Sequence, residues 1–177
     1  SGTRCVGGWL TSGSALVAEA IATLKIDFLV VDFEHGSSDI SQAEVIFAVT
    51  EALGVAPMAR IGNQDATFAR RLLDLGAHGL LVSTVEDVEK FQEFSEHCYY
   101  PPLGRRGVGL SRCNKFGDRF KDYFKNFQPV IIPMIETRRG IAAAERLAKL
   151  QIVDALFIGP YDLSADLADA GNFDGEE

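Results

Sequence analysis

Two acidic residues, Glu136 and Asp162, follow apolar segments that are typical of buried strands. A carboxylate beside a buried strand is unfavourable unless it is paired or binds a cation. If the two strands are parallel neighbours, their ends lie roughly 5 Å apart at the backbone. Two ionised carboxylates at that spacing repel each other unless a cation lies between them. Oxygen ligands favour Mg²⁺ or Mn²⁺, with Co²⁺ as an alternative and water in the remaining positions.

A structural interpretation of the same two residues stays open. Arg138 and Arg139 follow Glu136 closely, and either of them is a potential ion-pair partner. Asp162 precedes Leu163, where a helix capped by the aspartate would begin.

Two further side chains at predicted strand ends are capable of chemistry. Arg60 places a permanent cation there, suited to a substrate carboxylate or to a developing enolate oxygen. His35 lies in a polar turn with Asp32 and Glu34 and is a candidate general base near neutral pH. The alternatives are a surface or structural role for Arg60 and a structural histidine bonded to Asp32.

Two backbone and loop features suggest anion binding. The segment Gly159-Pro160-Tyr161-Asp162 suits backbone N–H groups that face an anionic oxygen at the start of a helix. Arg105 and Arg106 lie in a loop rich in proline and glycine, where they form either a phosphate-binding patch or a solvated or interface segment.

The hydrophobic pattern alternates between strands and helices along the whole chain. The predicted strands cover residues 5–10, 28–31, 56–61, 79–82, 130–135 and 155–158. The predicted helices cover residues 15–24, 41–53, 67–75, 85–98, 118–127 and 140–150. For the second helix, Ser41 and Glu44 have the spacing of a capping box.

Six successive β/α units predict a parallel sheet, either open and doubly wound or closed as a barrel. No Gly-x-Gly-x-x-Gly motif follows the first strand, which disfavours a dinucleotide-binding fold. The polar residues follow the carboxyl ends of successive strands, and a barrel brings all of those ends to one rim. We therefore expect a (β/α)8 barrel, of which a single domain over residues 1–177 carries about the first six units and lacks the C-terminal ones.

The composition excludes several classes of function. The net charge of −8 disfavours nucleic acid or an anionic membrane as a partner. The apolar runs are too short to span a bilayer, and no signal peptide is visible. The three cysteines, at positions 5, 98 and 113, have no metal-binding or disulfide spacing, so we expect free thiols and a cytoplasmic protein.

Five segments, taken together, carry a specific family resemblance that spans nearly the whole chain. They are Phe28-Leu29-Val30-Val31-Asp32-Phe33-Glu34-His35-Gly36, Leu72-Leu73-Asp74-Leu75-Gly76-Ala77, Tyr100-Pro101-Pro102-Leu103-Gly104-Arg105-Arg106-Gly107, Ile135-Glu136-Thr137 and Phe157-Ile158-Gly159-Pro160-Tyr161-Asp162-Leu163-Ser164. In order and spacing the chain resembles the class II, pyruvate-dependent aldolases of the HpcH/HpaI family, such as 4-hydroxy-2-oxoheptanedioate aldolase.

The resemblance implies a (β/α)8 barrel that forms a homo-oligomer, usually a hexamer. It implies that Glu136 and Asp162 bind the metal and that Arg60 polarises the keto oxygen of a 2-oxo acid. His35 resembles the histidine of proton transfer. Asp74, which no pattern had singled out, resembles an aspartate that pairs with such a histidine across a subunit interface.

The resemblance also implies residues around the substrate. The backbone of Gly159 and Tyr161 would contact the pyruvate carboxylate, while Asp32 and Glu34 would support the residues that act on the substrate. The implied activity is the reversible cleavage of a 4-hydroxy-2-oxo acid to pyruvate and an aldehyde, with a base assisted by His35 and Asp74.

Two positions depart from the family pattern. Met134 stands where a glutamine is common, two residues before Glu136, and a thioether cannot donate a hydrogen bond. Ser83-Thr84 replaces a more usual pair that contains proline. We therefore expect some difference in the positioning of the substrate.

Three other functions stay open at the level of sequence. One is an enzyme like citrate lyase β-subunit or malyl-CoA lyase, although no clear basic cleft for coenzyme A is visible. Another is different enolate chemistry on the same fold, such as a citrate synthase. The third is a non-catalytic scaffold built from a truncated barrel.

Overall fold

Six parallel strands form one sheet in which each strand pairs with its neighbours along the chain. The computed structural model describes residues 4–173; the predicted domain also includes residues 1–3 and 174–177, which lie outside the described residues. The strands are β1 (Gly7–Leu10), β2 (Phe28–Asp32), β3 (Ala56–Ile61), β4 (Gly79–Val82), β5 (Val130–Ile135) and β6 (Phe157–Ile158). The sequence predicted each of them, with small differences in length.

Helices follow the strands and confirm the predicted β/α repeat. They are α1 (Ala15–Ala22), α2 (Ile40–Ala52), α3 (Ala66–Asp74), α4 (Val88–Glu96), α5 (Phe120–Asn126), α6 (Arg138–Leu147) and α7 (Pro160–Asp166). A 3₁₀ segment, Arg112–Gly117, precedes α5 and was not predicted. Its backbone includes two non-glycine residues with positive φ, Lys115 and Phe116, which hydrophobic periodicity does not indicate.

The predicted cap of the second helix was wrong. Asp39, and not Ser41, is the N-cap of α2, and its carboxylate accepts from the amides of Ser41 and Gln42. The Gln42 side chain in turn accepts from the amide of Asp39 and completes the capping box. Asp39, two residues before Ser41, is the better cap because its carboxylate accepts two backbone hydrogen bonds at once.

The sheet is strongly curved. In a flat sheet with strands about 4.8 Å apart, β1 and β6 would lie about 24 Å from each other. Instead, the rings of Trp9 on β1 and Phe157 on β6 have centroids only 5.7 Å apart. The described chain is therefore a parallel half-barrel of six strands, and the open doubly wound alternative does not apply.

Two apolar clusters lie on opposite faces of this sheet. The larger one fills the space between the strands and the surrounding helices and includes Phe47, Leu72 and Phe91, all fully buried. The smaller one lies on the concave face and consists of Val30, Met58, Leu81 and Met134. Because side chains alternate along a strand, the residues two positions further on also face inward, at the carboxyl ends of the strands.

Two general properties of the described residues bear on the sequence predictions. Between residues 4 and 173, no helix is long and apolar enough to cross a membrane. All three cysteines are free: Cys5 is exposed, Cys98 is buried and Cys113 is partly buried, as the cysteine spacing predicted.

The outer cluster should dominate the stability of the fold. We expect Phe91→Ala to lower the free energy of unfolding by about 3–5 kcal/mol, because it removes a fully buried ring and leaves a cavity. Denaturant unfolding followed by circular dichroism measures this change. Phe116→Ala is the matched control, since that ring is 76% exposed; equal losses in both variants would contradict the assignment.

Candidate active site

Arg60 is the centre of a polar cluster at the carboxyl ends of β2, β3 and β4. Its side chain is 9% exposed, and every nitrogen of its guanidinium has a partner. Nε donates to Ser83 Oγ at 3.1 Å, Nη1 to Asp32 Oδ2 at 3.2 Å, and Nη2 lies 2.6 Å from Glu34 Oε2. The surface role considered for Arg60 is therefore wrong, and the guanidinium has one fixed orientation.

Asp32 connects this cluster to β1. Its carboxylate accepts from the indole Nε1 of Trp9 at 3.1 Å and from the amides of Glu34 and His35 at 3.0 Å each. Burial raises the pKa of Asp32, but these hydrogen bonds and the charge of Arg60 outweigh burial and leave the pKa below its ordinary value. Asp32 is thus held as a carboxylate, and Trp9 is fixed with its ring centroid 5.7 Å from the Arg60 guanidinium carbon.

Glu136 is a buried carboxylate with one oxygen bound by the protein. Its Oε2 accepts from the amide of Thr84 at 2.8 Å, while Oε1 lies 3.7 Å from Arg60 Nη2. Burial raises the pKa of Glu136, and the charges of Asp162 and Glu34 raise it further, against the opposing effects of Thr84 and Arg60. The alternative ion pair with Arg138 or Arg139 is not formed, and Arg139 pairs with Glu86 instead.

Asp162 faces the same cavity as Glu136 from the first turn of α7. The cavity has a volume of about 190 Å³, and Arg60 and Met134 also line it. Asp162 is exposed, whereas Glu136 is buried. Asp162 does not cap a helix, because α7 begins at Pro160 with Gly159 as its N-cap.

Gly159 allows Glu136 to occupy its position. A Cβ at residue 159 would lie 2.5 Å from Glu136 Oε1, which is closer than Cβ atoms approach other heavy atoms, so the carboxylate would have to move. The backbone of Gly159 is fixed as well, since its N–H donates to the carbonyl of Ile135 at 3.1 Å. That amide is therefore not open to a substrate carboxylate, contrary to the expectation from the resemblance, whereas the N–H of Tyr161 has no carbonyl partner within its helix.

The donor set of the cavity fits a hard divalent cation that keeps several water ligands. Two carboxylates face one space, and Oε1 of Glu136 accepts no hydrogen bond from any of the described residues, 4–173. Among residues 4–173, no three His, Cys, Asp or Glu side chains converge in a closed cage. Mg²⁺ typically binds through one or two carboxylates together with water and substrate oxygens, so an open site of this kind suits it.

His35 and Asp74 are apart within the chain. His35 is exposed and makes a hydrogen bond to Asp32 through its backbone only. Asp74, at the end of α3, accepts from Arg106 Nη2 at 2.7 Å. No hydrogen bond or ion pair joins His35 to Asp74 within the described part of the chain, so a direct partnership requires another subunit.

The two loop arginines do not form a phosphate-binding patch. Arg106 is buried, pairs with Asp74 and lies 4.7 Å from the ring of Tyr100. Arg105 is exposed and lies within 3.4 Å of Glu93 and 3.3 Å of Glu96. Both cations are thus neutralised by neighbouring carboxylates, and they hold the loop against α3 and α4.

The sequence did not indicate all residues of the cavity. Trp9 and Phe157 form an aromatic wall, and their proximity depends on the curvature of the sheet. Thr84 holds Glu136 through its backbone N–H. Because every residue except proline has this group, the sequence does not indicate such a contact. Ser83 was noted as a departure from the family pattern, but its contact with Arg60 was not foreseen.

With this geometry in view, comparisons with known proteins identify the family. Residues 6–177 match the model of the HpcH/HpaI aldolase/citrate lyase family, and the chain belongs to that family. The predicted resemblance is confirmed. Two relatives of known activity are aldolases. The family is thus one of carbon–carbon lyases and related enzymes.

Individual relatives support the same assignment. The chain is 34% identical over 176 residues to a hydroxypyruvate/pyruvate aldolase from Roseovarius nubinhibens, covering 97% of this chain and 68% of the relative. It is 33% identical over 170 residues to a 5-keto-4-deoxy-D-glucarate aldolase from Escherichia coli, covering 94% and 66% respectively. The chain thus spans about two thirds of the length of these relatives.

A solved structure confirms the fold. A family protein from Burkholderia cenocepacia superimposes with a TM-score of 0.89 at 31% identity, covering 96% of this chain and 69% of that structure.

Thr84 has an unfavourable backbone conformation at the site. Its φ of 52° lies in the left-handed region, which is strained for a β-branched residue. We expect Thr84→Gly to raise the free energy of unfolding by about 1 kcal/mol, since relief of the strain exceeds the added flexibility of the unfolded chain. Thermal unfolding measures this. Thr67→Gly in α3, where φ is helical, is the control and should be destabilising; a lower stability of Thr84→Gly would contradict the interpretation.

Proposed function

We propose that the protein is a metal-dependent aldolase that reversibly cleaves a 4-hydroxy-2-oxo acid to pyruvate and an aldehyde. The observation that supports this most directly is the arrangement of Arg60, Glu136 and Asp162 around one cavity. A fixed cation, together with two carboxylates that would hold a divalent metal ion, suits a substrate whose carboxylate and keto oxygens both need positively charged partners. Membership in a family of aldolases and citrate lyases supports the same chemistry.

Arg60 would bind the 2-oxo acid at its keto oxygen. Its guanidinium is oriented before substrate arrives, because Asp32, Glu34 and Ser83 each hold one of its nitrogens. As the carbon–carbon bond breaks, negative charge develops on that oxygen, and a pre-oriented cation stabilises the charge without reorganisation. Trp9 and Phe157 would form the apolar wall beside it.

Glu136 and Asp162 would hold the divalent cation, proposed as Mg²⁺ or Mn²⁺ with Co²⁺ as an alternative. When bound, such an ion supplies Lewis acidity and a template for the two oxygens of a 2-oxo acid. Glu136 is prepared for this role because Thr84 binds one of its oxygens and leaves the other facing the cavity. Asp32 and Glu34 act through Arg60, since both carboxylates contact its guanidinium.

His35 would accept the proton of the C4 hydroxyl group. Loss of that proton turns the C4–O bond into the carbonyl of the aldehyde, and the electron pair of the C3–C4 bond passes to the enolate of pyruvate. Protonation at C3 then gives pyruvate. Because His35 and Asp74 are apart in one chain, we propose that Asp74 of a neighbouring subunit orients His35 in a homo-oligomer, by resemblance a hexamer.

The remaining contacts and the complete architecture are also proposals. The N–H of Tyr161 would contact the substrate carboxylate, while Gly159 would leave room for the side chain of Glu136. We further propose that the six-stranded half-barrel is part of a (β/α)8 barrel, supported by its close superposition on a longer family structure. A cytoplasmic location and the lack of a nucleic-acid or membrane partner stay predictions.

Removal of the metal tests the reaction class. In the presence of Mg²⁺ or Mn²⁺, we expect pyruvate to be released from a 4-hydroxy-2-oxo acid, as measured by coupling to lactate dehydrogenase. EDTA should reduce the rate to background, and excess Mn²⁺ should restore it, because the substrate chelate needs the cation. Pyruvate release that persists in EDTA would exclude the proposed mechanism.

Substitution of Glu136 tests the metal site separately from turnover. We expect Glu136→Gln to weaken Mn²⁺ binding by at least about 100-fold, because even the partners of metal ligands contribute about 10–100-fold. Isothermal titration calorimetry measures the affinity. Glu86→Gln is the matched control, because Glu86 pairs with Arg139 and does not line the cavity. Equally weak binding by wild type and Glu136→Gln would favour a non-catalytic scaffold.

A further inference from the structure

Ser83 is a buried hydroxyl group directly after β4, next to the guanidinium of Arg60. It is 3% exposed, and its Oγ has three neighbours in the protein. Arg60 Nε donates to it at 3.1 Å, it donates to Glu34 Oε2, and Met134 Sδ lies 3.7 Å away. The side chain therefore faces the interior of the half-barrel together with the candidate catalytic residues.

The direction of these hydrogen bonds is fixed by chemistry. A guanidinium only donates and a carboxylate only accepts, while a hydroxyl does both. Ser83 must therefore accept from Arg60 and donate to Glu34, which itself lies 2.6 Å from Arg60 Nη2. The three side chains form a closed ring, in which each member restricts the other two.

Ser83 binds Nε, the guanidinium nitrogen that the two carboxylates do not contact. Asp32 and Glu34 bind the two terminal nitrogens of the planar group. The bond from Nε to Ser83 adds a third contact to the planar group, so that the guanidinium is held at all three of its nitrogens. Loss of the hydroxyl would also leave a buried N–H without an acceptor, which is costly.

This contact depends on the hydroxyl group of Ser83. A proline at position 83 has no hydroxyl, so it offers Arg60 Nε nothing to bind. Met134, the other position that departs from the family pattern, touches the same hydroxyl through its sulfur. A thioether does not compete with Arg60 as a donor, because it has no hydrogen to donate.

We propose that Ser83 is a positioning residue, which holds the Arg60 guanidinium in the orientation that receives the keto oxygen of a 2-oxo acid. The first half, the fixing of Arg60, depends only on the contacts described above. The second half, the effect on 2-oxo acid binding, rests on the proposed function. The two halves have separate measurements.

The fixing of Arg60 is tested by hydrogen exchange of its Nε–H, followed by NMR and assigned from the signal that Arg60→Lys removes. We expect Ser83→Ala to accelerate exchange by at least about tenfold, as for the loss of a hydrogen bond from a charged donor. Ser83→Thr keeps the hydroxyl and should stay close to wild type. Ser95→Ala is the matched control, because that serine is fully buried but donates to the carbonyl of Phe91 inside α4.

Binding of pyruvate in saturating Mg²⁺ tests the functional half. Trp9 is the single tryptophan of the chain and lies beside Arg60, so its fluorescence reports on this site alone. We expect Ser83→Ala to weaken pyruvate binding and to raise KM for the 4-hydroxy-2-oxo acid by about tenfold each, the ratio for one charge-assisted hydrogen bond. Ser83→Thr should restore both, and Ser95→Ala should change neither.

The outcomes separate the two claims. Unchanged exchange of Arg60 Nε–H in Ser83→Ala overturns the proposal. Faster exchange with unchanged pyruvate binding also overturns the positioning role, although the contact itself stands. If wild type binds no pyruvate while exchange still responds to Ser83→Ala, the proposed function fails and the fixing of Arg60 by Ser83 is supported.

Discussion

A guanidinium that is buried cannot shed its charge, so the protein must surround it with acceptors. Arg60 satisfies this requirement with Asp32 at the end of β2, Glu34 in the turn after β2, and Ser83 directly after β4. The neighbouring Glu136 and Asp162 bring further carboxylates to the same region and leave it with an excess of negative charge. The divalent cation proposed above would relieve that excess and would offset the cost of burying the Glu136 carboxylate.

The parallel strand register assembles this cluster from distant parts of the chain. Asp32 pairs with Arg60 in the register of β2 and β3, and Val30 pairs with Met58 two residues earlier. The inner apolar cluster thus lies beneath the site, and the polar side chains follow it two residues further along each strand. A shift of one residue in any strand would turn its polar side chain away from the cavity and towards the helices.

The sequence predicted the six strands from local pattern, and it predicted the curved sheet and the family from the order and spacing of the residues that follow those strands. Buried parallel strands are continuous apolar runs, and Glu136 and Asp162 follow two of them. It could not predict the wall of Trp9 and Phe157, since their contact spans the two edges of the sheet. It also missed the cap at Asp39, where two candidates were close together, and the commitment of the Gly159 amide to Ile135, which depends on the register of β5 and β6. The assignments of His35 and Asp74 stay predictions, because they concern a contact between subunits.

Gly159 has a consequence for recognising related proteins among uncharacterised genes. Even a methyl group at this position would overlap Glu136, so the position of the glutamate depends on the glycine. The glycine itself has no side chain that takes part in the chemistry. A diverged homologue that keeps the glutamate but replaces this glycine must have moved its carboxylate. Inspecting the pair, and not the glutamate alone, therefore separates sequences that have inherited this geometry from those that have retained only an isolated acidic residue.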